Sequence, residues 1–475
     1  MTLDRIGPKS LSLILTLALI TCGYALGQTR SAAIDPGVRG GTAGAGGPLQ
    51  GLTADEAAFF LDGQARFAEI EAVKNGSNNG LGPRFNSNQC FSCHSQPSMG
   101  GTSPAKNPLL EVAALAGAKN LVPWFMVPGG PIREARFKRS GNADGEVHDL
   151  FVITGRSDAP GCNIAQFDFL PAGNPVTGQG GNRNIVFRIP TPVFGSGLIE
   201  AIPDSAILAN QQANASAKSQ LGIHGHANAH LSGNVNLSAN DGTITRFGWK
   251  AQNKSLLMFA GEAYNVEMGI SNQLFPQERD ETPGCAFIPS PNDNLNFTTT
   301  PPATGNSSGI SNPAVISDIE AFANFMRMLA PPTPAPPTAS SARGRDTFAK
   351  IGCVHCHTPS LTTGKMIASG SSTNPSAALS SQTANLYSDL LVHHMGKALA
   401  DGITQGGAGP DEFRTAPLWG VGQRVFFLHD GRTTNLVDAI RDHRSKGSEA
   451  NKVIEHFNKL KTQEQQEIID FLRSL

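Results

Sequence analysis

The sequence predicts a mainly α-helical chain of two similar units, the first enlarged by long loops and short β-strands. Three observations predict it. A helix-like segment followed by a CxxCH pentapeptide occurs twice: Gly63-Gln-Ala-Arg-Phe67 with Cys90-Phe-Ser-Cys93-His94, and Gly344-Arg-Asp-Thr-Phe348 with Cys353-Val-His-Cys356-His357. Recurrence of one supersecondary unit marks an internal duplication. Between the copies, residues 331–338 (PPTPAPPT) form a Pro-rich break that neither a helix nor a central strand continues through. Strand-like stretches are few and lie in the first half, at residues 147–154, 184–189 and 242–249, whereas helical periodicity marks 312–329 and 463–475.

The N-terminus reads as an export address. Arg5 and Lys9 precede an apolar run at residues 11–20 (LSLILTLALI), and Ala25-Leu-Gly27 offers small residues for cleavage. This is the pattern of a signal peptide over residues 1–27. Cys22 follows Leu19-Ile-Thr21, a lipoprotein box with Thr where Gly or Ala is expected, so a free periplasmic product is preferred to one anchored at Cys22. Residues 28–50 are polar and Gly-rich and read as a flexible leader. The mature chain then divides into residues 51–330, a linker at 331–338, and residues 339–475. Its charges nearly cancel, 37 Lys+Arg against 38 Asp+Glu. That argues against nucleic acid as a partner, because phosphate backbones demand a basic face. Beyond residue 30 no apolar run approaches the ~20 residues of a spanning helix, so no integral membrane segment is expected.

CxxCH is a c-type heme attachment pattern. Thiols at i and i+3 on one helical turn can add to the two vinyl groups of one porphyrin, and the adjacent imidazole reaches the iron. Two covalently bound hemes c are therefore expected, on Cys90 and Cys93 and on Cys353 and Cys356. His94 and His357 would be the proximal iron ligands. Each unit becomes a cytochrome-c-like heme domain. A structural zinc site would instead pair one CxxC with a second pair, and a redox dithiol would occur once in a βαβ setting. Setting aside Cys22 and these four leaves Cys162 and Cys285, each preceded by Pro-Gly. In an oxidising compartment they are expected to form a disulfide, contributing about 4–5 kcal/mol in the chain-entropy account.

Five further stretches carry a resemblance: Gly80-Leu-Gly-Pro-Arg-Phe-Asn86, Arg188-Ile-Pro-Thr-Pro192, Gly197-Leu-Ile-Glu-Ala-Ile202, Phe247-Gly-Trp-Lys-Ala251 and Phe427-Leu-His-Asp-Gly-Arg432. From about residue 55 onward the chain resembles the di-heme oxidoreductase family, also labelled thiol oxidoreductase. More loosely it resembles the bacterial di-heme cytochrome c peroxidases. The second resemblance implies that the N-terminal heme reacts with peroxide and the C-terminal heme takes electrons from a donor protein. In the peroxidases the sixth ligand of the C-terminal iron, usually Met, lies twelve residues past the Gly of His-Asp-Gly. Counting from Gly431 reaches His443, so bis-His ligation by His357 and His443 is expected, with Met395 and His393 as rivals. An imidazole in place of a thioether lowers the potential of that heme. The peroxidases carry a distal acid shortly after a Pro-Thr segment. Here Pro190-Thr191 is followed by Glu200, the expected acid/base, and a buried ion pair with an Arg such as Arg188 is its structural alternative. Glu267 beside Met268 is the second candidate. The peroxidases also hold calcium between their domains, which makes calcium a further expectation, although no acidic loop here matches a calcium motif.

The remaining motifs are weighed on their surroundings. His224, His226 and His230 sit in an Ala/Asn/Gly/Ser-rich stretch and read as a solvated loop. Met258 and Met268 read as core. His429 is expected to shape the heme pocket, and Trp249 and Trp419 to be core aromatics or an electron relay between irons. The expected function is a peroxidase-like periplasmic di-heme oxidoreductase. It would take electrons from a small donor protein of cytochrome or cupredoxin type and act on hydrogen peroxide or another small oxidant. The alternatives are a non-enzymatic di-heme electron carrier and a di-heme oxygenase acting on an organic substrate.

Overall fold

In the computed structural model of the chain, residues 32–169, 184–229, 244–293, 316–365, 367 and 375–475 are described. The expected signal peptide, Cys22 and His230 lie outside them. The first half carries helices α1 (Ala54–Phe67), α2 (Cys90–Cys93), α3 (Leu109–Val112), α4 (Ser196–Glu200), α5 (Asp204–Gln212), α6 (Ala215–Leu221), α7 (Leu256–Met268) and α8 (Asp318–Met328). The second carries α9 (Ala339–Ile351), α10 (Leu436–Asp442), α11 (Asn451–Lys459) and α12 (Thr462–Ser474). Strands are short: β1 (Arg84–Phe85), β2 (Glu134–Phe137), β3 (Val147–His148), β4 (Phe151–Val152), β5 (Ile185–Arg188), β6 (Leu361–Thr362), β7 (Thr383–Ala384), β8 (Val392–His394) and β9 (Glu412–Arg414). The result is a mixed, predominantly helical fold. No helix among the described residues is long and apolar enough to cross a membrane.

The duplication seen in the motifs extends to the packing. In the first half α1 lies against α8, and in the second α9 lies against α12. Both pairs cross at a glycine. A Cβ on Gly63 would stand 2.2 Å from the Ala321 carbonyl oxygen, and one on Gly344 would stand 1.8 Å from that of Glu467. Glycine inside a helix costs about 1 kcal/mol relative to Ala; here it lets two backbones touch. A second pair of glycines repeats the device. A Cβ on Gly197 would meet the Arg327 carbonyl at 1.8 Å, and one on Gly422 that of Arg473 at 2.1 Å. The aromatic spacing also repeats, with Phe67 and His94 rings 6.0 Å apart and Phe348 and His357 rings 6.0 Å apart. Around α1 and α8, Phe60, Phe67, Phe322 and Phe325 interlock. Capping boxes at Thr53–Glu56 and Ser317–Glu320 fix where these two helices start.

A three-stranded antiparallel sheet, β3-β2-β5, pairs Glu134 with Arg188 and Arg136 with Val186. With side chains alternating along a strand, Glu134, Arg136 and Arg188 share one face. The expected strand at 242–249 does not form in its described part. Gly248, at φ 82°, and Ala251, at φ 52°, turn the chain so that Phe247 bridges back to Asn253.

Cys162 and Cys285 are joined, with an S–S distance of 2.09 Å across 123 residues of sequence. The leader is not loose from Ala33 on. Asp35 accepts from Arg473 Nε and Nη2 at 2.7 Å each and from Leu436 N at 2.6 Å, while Arg39 N donates to Gly422 O and Leu49 N to Met328 O. Residues 331–338 adopt neither helix nor strand, but Thr333 N and Ala335 N are hydrogen-bonded to Gly44 O and Ser474 O. Residues 33–475 thus pack as one unit.

Filling the α9–α12 contact tests this reading. Gly344→Ala is expected to cost at least about 2 kcal/mol, through overpacking that neither backbone can relieve. Gly129→Ala, with no atom near the added methyl, is expected to stay within ±0.5 kcal/mol. Denaturant unfolding of the two variants measures the difference.

Candidate functional site

Each CxxCH motif opens onto its own cavity. The first, about 1280 Å³, is walled by Cys90, Cys93 and His94 together with Phe67, Tyr264, Met268 and Phe322. The second, about 1340 Å³, is walled by Cys353, Cys356 and His357 together with Phe348, Phe427, Leu436 and Leu472. Both walls are largely hydrophobic. In each motif the first Cys opens a turn whose carbonyl receives the His backbone N–H: His94 N to Cys90 O at 3.1 Å and His357 N to Cys353 O at 2.9 Å. Both thiols and the imidazole are thereby delivered to one side of the cavity. Burial pushes the Cys90 thiol well above its usual range and raises Cys93 and Cys353 to about 12.

The imidazoles are oriented the way iron ligands require. His94 Nδ1 lies 3.0 Å from Gly101 O, and His357 Nδ1 lies 3.0 Å from Tyr387 O. A backbone carbonyl at Nδ1 holds the proton there and leaves Nε2 as the electron-pair donor. Burial lowers both rings to about 4, so they are neutral. His443 repeats the arrangement. It lines the second cavity, its Nδ1 lies 2.7 Å from Ala439 O, and burial lowers its pKa. His393 lines that cavity too, but both its nitrogens are taken, by Glu449 at 2.8 Å and Asp389 at 2.9 Å. Met395 is also on the wall. His429, lowered to about 4 by burial, stacks on Phe413 at 4.2 Å.

The two cavities differ in their polar groups. The first has His94 as its one imidazole among the described residues, facing Glu134, Glu262, Glu267, Arg136, Arg188 and Gln252. Burial pushes the Glu267 carboxyl up to about 7; Glu134 adds to the rise, and the Asn86 amide, 2.8 Å away, opposes it. In the second cavity, Arg414 and Arg424 are buried arginines whose pKa burial lowers to about 10. Arg414 Nη1 and Arg424 Nε and Nη2 find no acceptor among the described residues. Buried guanidinium donors without partners call for an anion, and heme carries two propionates. The thiols, the oriented imidazoles and these orphaned donors together fit a heme.

Glu200 is not on either wall. Its carboxylate accepts from Arg327 Nε at 2.6 Å and from Leu256 N at 2.8 Å. The side chain joins α4 to α8 and the start of α7, the arrangement that the ion-pair reading expects. The arginine in that pair is Arg327, and Arg188 pairs with Asp401 at 2.7 Å. Trp249 walls both cavities and donates Nε1–H to Ile189 O at 2.8 Å, whereas Trp419 packs its ring against Gly195. Sequence reasoning missed Arg414 and Arg424. A signal for the first was present, in that Phe187-Arg188 and Phe413-Arg414 recur at related places in the two halves.

Residues 180–475 match the family model described as "Di-haem oxidoreductase, putative peroxidase". No curated protein matches the chain. Among solved structures the chain is similar to Kuenenia stuttgartiensis hydrazine synthase, at 22% identity over 33% of this chain and 55% of that one, with a TM-score of 0.21. It is also similar to a MauG-like protein associated with microbial copper homeostasis, at 19% identity over 33% and 52%, with a TM-score of 0.22. The chain thus spans about half the length of the solved structures it matches.

Glu200→Gln separates the two roles considered for that residue. Breaking a buried ion pair from one side is expected to cost about 3–5 kcal/mol, while the absorption spectrum of the loaded protein and its reaction with peroxide stay unchanged. Thermal unfolding and stopped-flow absorption check the two halves of that outcome.

Proposed function

Because the chain belongs to the di-haem oxidoreductase family, we propose that it is an exported, peroxidase-like c-type oxidoreductase with one reactive site and one electron-transfer site. The observation that carries this reading is the asymmetry of the cavities. The first offers one imidazole and several buried carboxylates, whereas the second offers His357 and His443. Bound hemes would supply electron storage and cleavage of an oxidant such as hydrogen peroxide.

The chain's own residues supply attachment, orientation and proton handling. Cys90, Cys93, Cys353 and Cys356 would hold the two hemes through thioether bonds, with His94 and His357 as proximal ligands. His443 is the proposed sixth ligand in the second cavity, because its Nε2 is left free by the bond to Ala439 O. The two carboxylate partners of His393, Glu449 and Asp389, support His443 over it. Arg414 and Arg424 would receive the propionates of the second heme. In the first cavity Glu267 is the proposed acid/base. A carboxyl near 7 exchanges protons at working pH, and the hydrogen bond from Asn86 fixes its position. Trp249, present in both walls, bridges the two sites for electrons. A small donor protein of cytochrome or cupredoxin type would deliver them at the second site.

Two outcomes test the proposal in protein matured with a working cytochrome c assembly system. With the carboxylate form of Glu267 as proton acceptor, the second-order rate with peroxide is expected to rise as pH climbs through about 7. Below that value the group is protonated and cannot accept. Glu267→Gln removes the inflection and slows the reaction about 10²–10⁴-fold; a flat profile in the unaltered protein contradicts the assignment. Second, His443→Ala converts one low-spin paramagnetic resonance signal to high spin, and two unchanged signals contradict bis-His ligation.

A further inference from the structure

Away from both cavities, His226, His394, Asp411 and Glu412 converge at the surface. The backbone brings them together. His226 and Val392 exchange hydrogen bonds at 3.0 and 2.9 Å as an antiparallel bridge, and β8 pairs His394 directly with Glu412 on β9. His226 Nε2 lies 2.8 Å and His394 Nε2 3.2 Å from the same oxygen, Glu412 Oε1. The opposite nitrogen of each ring is already committed: His226 Nδ1 to Ala227 O at 3.2 Å and His394 Nδ1 to Asp411 Oδ1 at 2.9 Å. Glu412 Oε2 accepts from Gly409 N at 2.7 Å, which fixes the carboxylate plane.

Two imidazoles that aim Nε2 at one carboxylate oxygen, with carbonyl and carboxylate acceptors behind Nδ1, form the outer-shell pattern of metal-bound histidines. We propose that His226 Nε2, His394 Nε2 and Glu412 Oε1 bind a divalent transition-metal ion of the zinc–copper class, with Asp411 orienting His394. Ligands ~2.0–2.1 Å from a tetrahedral ion lie roughly 3.3 Å apart; the two Nε2 atoms stand more than 4.8 Å from each other, so both imidazoles swing inward to take one. The His226 and His394 side chains are 42% and 52% exposed, free to make that movement and open to an entering ion. Two carboxylates beside two imidazole nitrogens favour a dication, and the nitrogen donors disfavour magnesium and calcium. A fourth position is left for water. Cys356, Asp389 and His393 also cluster, within 4.8 Å, but that thiol belongs to the second CxxCH motif.

The test is calorimetric titration of tag-free, heme-loaded protein with zinc ion, backed by native mass spectrometry. One saturable equivalent of zinc is expected, with no heat from magnesium. His226→Gln and His394→Gln should each weaken zinc binding at least 100-fold, Asp411→Asn should weaken it about 10–100-fold, and His224→Gln should leave it intact. An unchanged heme absorption spectrum reports that each variant is folded. No saturable binding by the unaltered protein overturns the proposal, as does zinc binding retained by either the His226 or the His394 variant.

Discussion

Where α1 crosses α8 and α9 crosses α12, the absence of a side chain at Gly63 and Gly344 lets one helix rest on a carbonyl of its partner. This contact sets the distance between the helices that flank each CxxCH turn, and through them the width of each cavity. Phe67 and Phe348, one helical turn beyond these glycines, sit against His94 and His357 at equal spacing. The orientation of the imidazoles thus descends from a backbone contact many residues away. Any side chain at the crossing would be felt first in the packing of these rings, because cores at native density transmit small displacements.

On this shared frame the two halves diverge in chemistry. The first half inserts a sheet whose one face brings Glu134, Arg136 and Arg188 to its cavity. The second keeps its cavity more hydrophobic and places orphaned guanidinium donors in the wall. Burial acts oppositely on the two kinds of group, raising the Glu267 carboxyl and lowering the imidazoles, as desolvation of a charged form must. The same kind of low-dielectric surroundings therefore holds a carboxyl near neutrality in the first half and uncharged imidazoles in both.

Local features were legible in the sequence. Helical periodicity located α8 and α12, the pentapeptides located both cavities, and counting from Gly431 led to a histidine that does line the second one. What could not be read was pairing across long separations. Glu200 has an apolar neighbourhood that suits either a working acid or an ion pair. Only the crossing of α4 and α8 shows that Arg327, 127 residues away, claims it. The stretch 242–249 alternates like a strand but is bent by a turn at Gly248. His226 gave no hint of fixed geometry because its partners, at 394 and 412, come from strands assembled in three dimensions. The cleavage signal and Cys22 fall outside the described residues.

The tie between Asp35 and Arg473 spans 438 positions, and Ala33 is buried within the hydrophobic cluster of the C-terminal half. The first described segment of the chain is thus clasped by α12. In a chain synthesised N-terminus first, this closure waits until α12 has emerged. The long-range loop it closes makes it a slow step by topology alone, and until then the C-terminal cluster lacks part of its lining.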